Sequence, residues 1–393
     1  MTTLDAASPP EPRADVLPYM ALAMMAGTTA GMLRALSPVF AIHLGASNAQ
    51  IGVIAGLESL GMAAMTLPAG VLVSRYGPRR VYVIASLIIT SVYCLVPWSL
   101  SWIVLGVGLC VGGSCMPFRI VSVSSSFLER LKAIGRSKAG WYSASGTVGT
   151  LLTGPALATV LLTRYGTTAG YLGVALLFAG MGLGGTIILA RRPAPGPRPG
   201  FLESFAQSAR LLRDPVVSAI CTIEVSTGIV FAFFSAFIVV TAIRRVGLSE
   251  PAAISVRMFE GLVAVATMAV GGFLVKNRPL VWFYRLSLML IVLGFGMLAL
   301  AHTYPGLVLA TLFLGSGLGI TSLINIIRLS ASEAPKSRIS SLQLFSSMGG
   351  GFVGAMLGGL LSKYLGLQGM FVSGALLYLL LAWRWCFRET IAP

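Results

Sequence analysis

Acidic side chains are scarce in this sequence: 12 Asp and Glu among 393 residues, against 28 Lys and Arg. Charged residues of both signs make up only 10% of the chain, where a soluble domain carries about a quarter. So thin a polar coat excludes a water-soluble globule. Histidine occurs twice, at His43 and His302, and no Ser/His/Asp set or metal-ligand spacing accompanies it, so an enzyme is not expected. The five cysteines, Cys94, Cys110, Cys115, Cys221 and Cys386, all sit in apolar stretches. Their odd number and placement give no disulfide framework. Cys110, Cys115 and Met116 offer soft metal ligands, but small apolar packing residues are the simpler account. No Gly-Lys-Ser/Thr phosphate loop is present, so this chain does not draw on ATP, and no cofactor is implied. The first 17 residues are polar and proline-rich, without the basic start of a cleaved signal peptide.

What the chain has instead is apolar length. Hydrophobic residues make up 56% of it, in runs of 18 residues or more. About 20 apolar residues of helix cross a bilayer, and only helices or closed barrels satisfy the backbone there. The alternating ten-residue pattern of a barrel is missing. The sequence therefore predicts an all-α polytopic membrane protein. Twelve spans are expected, roughly at 18–44, 49–73, 80–98, 102–127, 139–163, 167–190, 216–242, 252–275, 280–301, 304–330, 339–364 and 368–387.

Basic residues fix the expected orientation. With the N-terminus inside, cytoplasmic segments hold 19 of the 28 Lys and Arg and outer loops hold four: Arg164, Arg244, Arg245 and Lys363. Both termini are then cytoplasmic, in the inner (plasma) membrane. The excess charge reads as topology and anionic-lipid contact, not as a nucleic-acid surface. The organisation that follows is a tail over 1–17, a six-helix bundle over 18–190, a cytoplasmic linker over 191–215, a second bundle over 216–387 and a tail over 388–393. Within the linker, "FLESFAQSARLL" has a helical period suited to the membrane surface.

The two bundles repeat one another, as in many transporter folds. Glu58 precedes Gly70 by the same interval as Glu260 precedes Gly272. "AGVLVSRYG" at 69–77 is echoed by "GGFLVKNRP" at 271–279, and "LLTRYG" at 161–166 by "LLSKYLG" at 360–366. Gly149 and Gly154 match Gly349 and Gly354, and Arg328 roughly corresponds to Arg119.

"GVLVSRYGPRR" resembles the signature loop between helices 2 and 3 of the major facilitator superfamily: Gly70, Leu72, Arg75, Tyr76, Gly77, Arg79 and Arg80 fit, while Ser74 stands where the family has Asp. The resemblance implies two pseudo-symmetric six-helix bundles rocking about a central site, with this loop as a cytoplasmic gating element. "GTVGTLLTGPALA" at 146–158 is similar to the family's antiporter stretch through Gly149, Gly154 and Pro155, although close packing of small residues explains the same pattern. The exporter pattern Arg-x-x-Gln-Gly is missing; its positions fall at Gly108, Val111 and Gly112.

Charges inside spans need a reason, because one at the bilayer centre costs about 2.5–3.5 kcal/mol on insertion scales. Arg34, Glu58, Arg119 and Glu224 are expected to face the cavity, joined by Arg257, Glu260, Asn325 and Arg328 as substrate-binding or coupling residues. Arg257 and Glu260, three apart, share a helix face and can instead pair with each other. Arg285, near a span end, can snorkel. Guanidinium forks bind carboxylates bidentately, and a buried Glu can hold a coupling proton. Trp141, Tyr142, Phe231 and Phe233 are candidates to stack on an organic solute. The expectation is a monomeric, proton-coupled secondary transporter of a small carboxylate-bearing solute. By analogy it is an antiporter for efflux of a siderophore or drug-like metabolite; the alternative is an uptake permease for an organic anion or ferric siderophore.

Overall fold

The computed structural model describes residues 16–134, 139–189, 206, 210–274, 279–331 and 336–386. Their regular elements are helical: α1 (Leu17–His43), α2 (Asn48–Tyr76), α3 (Pro78–Leu95), α4 (Trp102–Ile134), α5 (Ala139–Val148), α6 (Gly154–Ile188), α7 (Pro215–Arg244), α8 (Glu250–Leu274), α9 (Leu280–Leu300), α10 (Tyr304–Ala331) and α11 (Lys336–Cys386). A π-helical turn, Gly149–Thr153, joins α5 to α6. Tails 1–15 and 387–393 and most of the linker, with its expected surface helix, lie outside the described residues.

Local chemistry sets the helix starts. Ser47 and Gln50 form a capping box ahead of α2, satisfying two otherwise orphaned N–H groups. Asp214 caps α7, accepting from Val216 and Val217 N–H. Pro18, Pro78 and Pro215 occupy first-turn positions, where a missing N–H costs nothing.

Nine helical stretches among the described residues are long and apolar enough to cross a membrane. Two, Ala144–Ile188 and Ser341–Ala382, have 45 and 42 residues, enough to cross twice. Each is broken by one glycine: Gly166 at φ 79°, ψ 179° and Gly366 at φ 69°, ψ 177°, a conformation open to glycine alone at little cost. With both broken stretches counted as two crossings and α1 added, the helices accommodate the twelve expected spans. The expected gaps at 164–166 and 365–367 shrink to these single breaks.

The basic stretch after span 2 also differs from expectation. The expected break at 74–79 shrinks to one residue. Helix α2 continues to Tyr76, α3 begins at Pro78, and Gly77 alone, at φ 85°, is non-helical. Arg75, Arg79 and Arg80 therefore sit on helix ends. The membrane side where α2 ends and α3 begins is called the basic face below, and the opposite side the far face.

Glycine sets the helix spacing, since small residues let backbones meet. A Cβ at Gly113 would strike the Glu58 carbonyl, and one at Gly315 would strike the Glu260 carbonyl. Helix α4 thus presses on the glutamate-bearing turn of α2 as α10 presses on that of α8. Likewise Gly149 abuts Met24 and Gly154 abuts Thr28, while Gly350 abuts Val225 and Gly354 abuts Ile229. The partner of Gly149 in the repeat is therefore Gly350, not the expected Gly349, which meets nothing within 4 Å. The π turn explains the slip: it houses one extra residue between Gly149 and Gly154 that the regular helix between Gly350 and Gly354 lacks. The halves meet mainly through α2 against α11, where a Cβ at Gly52 would run into the backbone of Ala355 and Gly359.

Gly52→Ala should lower the melting temperature in detergent by an overpacking penalty of about 1–3 kcal/mol. Gly70→Ala, facing open space, should leave it unchanged or raise it. Equal effects would remove the packing role assigned to Gly52.

Candidate functional site

Two small adjoining cavities lie on the seam between the halves, bounded by α1, α2 and α7, with α11 closing the larger. Both are lined by Arg34, Ala55, Glu58, Ser235 and Ala236; the larger adds Ser59, Phe231 and Ser347. Their volumes, about 40 and 70 Å³, leave room for a few waters at ~30 Å³ each. Loading a larger solute therefore requires the halves to part.

Around this seam the fold gathers four of the expected charges. Arg34 comes from α1, Glu58 from α2, and Arg257 and Glu260 from α8. Each guanidinium lies within the field of both carboxylates. Phe231 meets both arginines, with its ring centre 5.0 Å from the Arg34 guanidinium carbon and 5.9 Å from that of Arg257, within cation–π range of each. Arg257 also donates to the Ser235 carbonyl at 3.1 Å. No Arg–Glu pair within the group closes to an ion pair of 4 Å, and Glu260 Oε2 is buried without a hydrogen-bond partner. Arg257 and Glu260 are thus close yet not locked together, so the expected alternative of a private ion pair does not hold in this conformation. Both are buried and neither lines the cavities; they lie behind the wall formed by Phe231 and Ser235.

Arg119 corrects the expectation. It does not reach the cavity. It is buried inside the N-terminal half, donating from Nε to Ser86 Oγ and from Nη2 to Tyr82 OH, both at 3.1 Å, and to Met181 Sδ. Its guanidinium lies 4.4 Å from the Phe178 ring centre and 5.0 Å from that of Tyr82. Polar oxygens and aromatic faces thus compensate a charge that no carboxylate among the described residues pairs with. Nor is Arg328 its repeat partner. Ser287, at the place of Ser86, bonds to Thr321, so Thr321 stands where Arg119 does. Arg328 lies two turns further along α10 and meets Tyr284, 5.7 Å from the ring centre.

Glu224 and Asn325 also lie away from the four-charge group, in a network of the C-terminal half. Glu224 Oε1 accepts from Asn325 Nδ2 at 2.8 Å and from Gln343 Nε2 at 2.7 Å. Tyr284 donates to Asn325 Oδ1 at 3.0 Å. Ser347, in the lining of the larger cavity, also hydrogen-bonds to Glu224; Gln343 and Ser347 were not expected from the sequence, because uncharged polar residues in an apolar run raise no alarm. Of the aromatic candidates, Phe231 lines the cavity. Tyr142 stacks on Phe127, Phe233 is fully buried, and the side chain of Trp141 lies outside the description. Exposed Arg285 is compatible with snorkelling. Ser74 Oγ donates to its own helix at Val71 O, and Arg75 covers the Tyr76 ring. The Gly149, Gly154 and Pro155 stretch packs against α1.

At the far face the halves are tied together. His43 Nε2 meets Glu250 Oε1 at 2.5 Å, and Arg244 donates to Asn48 Oδ1 and to the Ala46 carbonyl. These links join the α1–α2 turn to the α7–α8 turn.

A polar seam between two repeated helical halves, lined by Arg34 and Glu58, charges that lipid would not tolerate, is an arrangement that suits a membrane carrier. The profile of the Major Facilitator Superfamily matches residues 19–345, and the chain belongs to that superfamily. Direct sequence comparison with curated proteins gives no match. Among solved structures, the fold is similar to that of the nucleoside transporter NupG (TM-score 0.77, 14% identity, covering 94% of this chain and 97% of that one). It is also similar to an inward-facing bacterial homologue of the human lysosomal transporter Spinster (0.74, 16%, 94% and 95%). A third similar structure is a POT family transporter in complex with 5-aminolevulinic acid (0.73, 13%, 95% and 97%). The protein is therefore a multi-pass membrane transporter of small solutes and not an enzyme.

Tyr82→Phe, which leaves the buried Arg119 one acceptor short, should destabilise the protein by about 1–3 kcal/mol, read as melting temperature, with transport kinetics unchanged. A loss of transport at full stability would return Arg119 to the solute path. His43→Ala combined with Arg244→Ala should make a cysteine at Ser235 reactive to impermeant maleimide added at the far face, against a cysteine-free background. Unaltered labelling would show that the far-face ties do not close the seam.

Proposed function

We propose that the protein is a secondary transporter that carries a small carboxylate-bearing solute together with a proton, by alternating access. The observation that carries this reading is the four-charge group on the seam: Arg34, Glu58, Arg257 and Glu260, close enough to feel one another and not paired off. Arg34, which lines both cavities, suits the carboxylate directly, and Arg257 beyond Phe231 adds its charge to the same site. Glu260, whose Oε2 has no partner, suits a proton.

Charge balance favours the direction of coupling. With all four groups ionised the set is neutral. A carboxylate bound to the arginines adds one negative charge in a site of low dielectric, and one proton on a glutamate restores neutrality. Solute and proton then load together and travel the same way. This supports the uptake permease over the siderophore or drug antiporter, which requires the two to load in turn. The packing of Gly154 and Pro155 on α1 leaves the antiporter-like stretch without a separate role. The basic face is read as cytoplasmic from Arg75, Arg79, Arg80, Arg210 and Arg213, in a bacterial-type inner membrane. The hinge at Gly77 and its charged flanks then move with cytoplasmic opening.

Proteoliposomes with an imposed pH gradient and a panel of labelled carboxylates provide the test. An acidic exterior should drive uptake. Arg34→Gln and Arg257→Gln should each lower it at least tenfold. Glu260→Gln should keep solute exchange while abolishing accumulation against a gradient. Full activity in both arginine variants would overturn the solute site, and uptake stimulated by an alkaline exterior would overturn the co-transport.

A further inference from the structure

The lipid-facing surface bears two apolar grooves of different character. One, of about 450 Å³, is lined near the far face by Phe259, Tyr304, Pro305 and Val308 with no charged residue. The other, of about 320 Å³, lies between α2, α3 and α4 towards the basic face. Its walls are Leu72, Tyr76, Ile84, Ile88 and Phe118, and Arg80 is part of its lining. Ile84 is 59% exposed and Tyr76 48%, so the slot opens to the hydrocarbon. Arg80 lines its mouth and Arg75 lies beside it, with Arg79 next in sequence. Arg80 and Arg75 are exposed, Arg79 is half-buried, and Arg75 lies over the Tyr76 ring at 5.6 Å. Among the described residues no carboxylate ion-pairs with any of the three.

We infer that this groove is a binding site for one anionic phospholipid, with an acyl chain between α2, α3 and α4 and the phosphate on Arg80 and its neighbours. The apolar walls recognise the chain through buried area. The unneutralised guanidiniums at the headgroup level recognise the charge, each worth about fivefold in binding at an anionic surface. The far-face groove offers the first term without the second, so it accepts lipid without selecting for charge. The Gly77 hinge sits at the mouth of the site, so a seated lipid braces the α2–α3 turn against both helices. None of this depends on which solute is carried or in which direction.

Native mass spectrometry of the full chain in detergent, titrated with phosphatidylglycerol or phosphatidylcholine, tests the assignment. Wild type should retain one phosphatidylglycerol more tightly than any phosphatidylcholine. Arg80→Gln should weaken that binding about fivefold. Ile84→Trp, which fills the slot, should abolish it, and Leu72→Trp provides the same filling from α2 if the first variant does not fold. Equal retention of the two lipids by wild type would overturn the site. So would undiminished phosphatidylglycerol binding in a folded, groove-filled variant, which would place the lipid on the arginines alone.

Discussion

An ionised side chain in hydrocarbon is tolerable only when protein encloses it, and this constraint orders the interior of the molecule. Three solutions appear. Arg119 is caged by hydroxyls, sulfur and aromatic faces within one half. Glu224 is held by neutral amides within the other. Arg34, Glu58, Arg257 and Glu260 are enclosed only because both halves close on the seam. The first two arrangements are each made by residues of a single half. The third is incomplete without the opposite half, which is what a site exposed in turn to two sides needs.

Enclosure depends in turn on how closely helices approach. There is no hydrophobic gain between helices already in lipid, so packing at short range does the work. Gly113 and Gly315 each let a neighbouring helix lie on the very turn that bears Glu58 or Glu260. They fix the depth of both carboxylates by backbone contact instead of by long side chains. The π turn at Gly149–Thr153 shows the same priority. One half holds an extra residue, and the helix widens locally so that Gly149 and Gly154 both still meet α1.

The fold was legible in the sequence because apolar length and turn glycines each report on the bilayer directly. Gly166 and Gly366 were readable as turns, though not as single-residue breaks, since length alone does not say how sharply a chain reverses. Charges buried in spans were legible as well; their destinations were not. Arg119 and Arg34 look alike in one dimension. What separates them is Tyr82, Ser86 and Met181, brought to Arg119 from α3 and α6 by packing that no local pattern encodes. The pairing of Arg119 with Arg328 failed for a related reason. Two arginines in equivalent helices invite alignment, yet the register set by Gly113 and Gly315 places Thr321 opposite Arg119.

That register also bears on why the seam is asymmetric. The position in the C-terminal half equivalent to Arg34 is Ser235, 201 positions later, and the one in the N-terminal half equivalent to Arg257 is Ala55, 202 positions earlier. Ser235 and Ala55 both line the two cavities, and Ser235 supplies the carbonyl that Arg257 grips. The glutamates are duplicated and the arginines are not: each half offers one guanidinium on a different helix, facing a small residue in the other. Had both been kept at both positions, four guanidiniums would share a dry space with two carboxylates, and repulsion in low dielectric would hold the halves apart. Dividing them keeps the closed seam neutral and leaves room beside Phe231. On the proposed function, a solute held there would touch both halves at once, the condition under which binding can govern whether they rock.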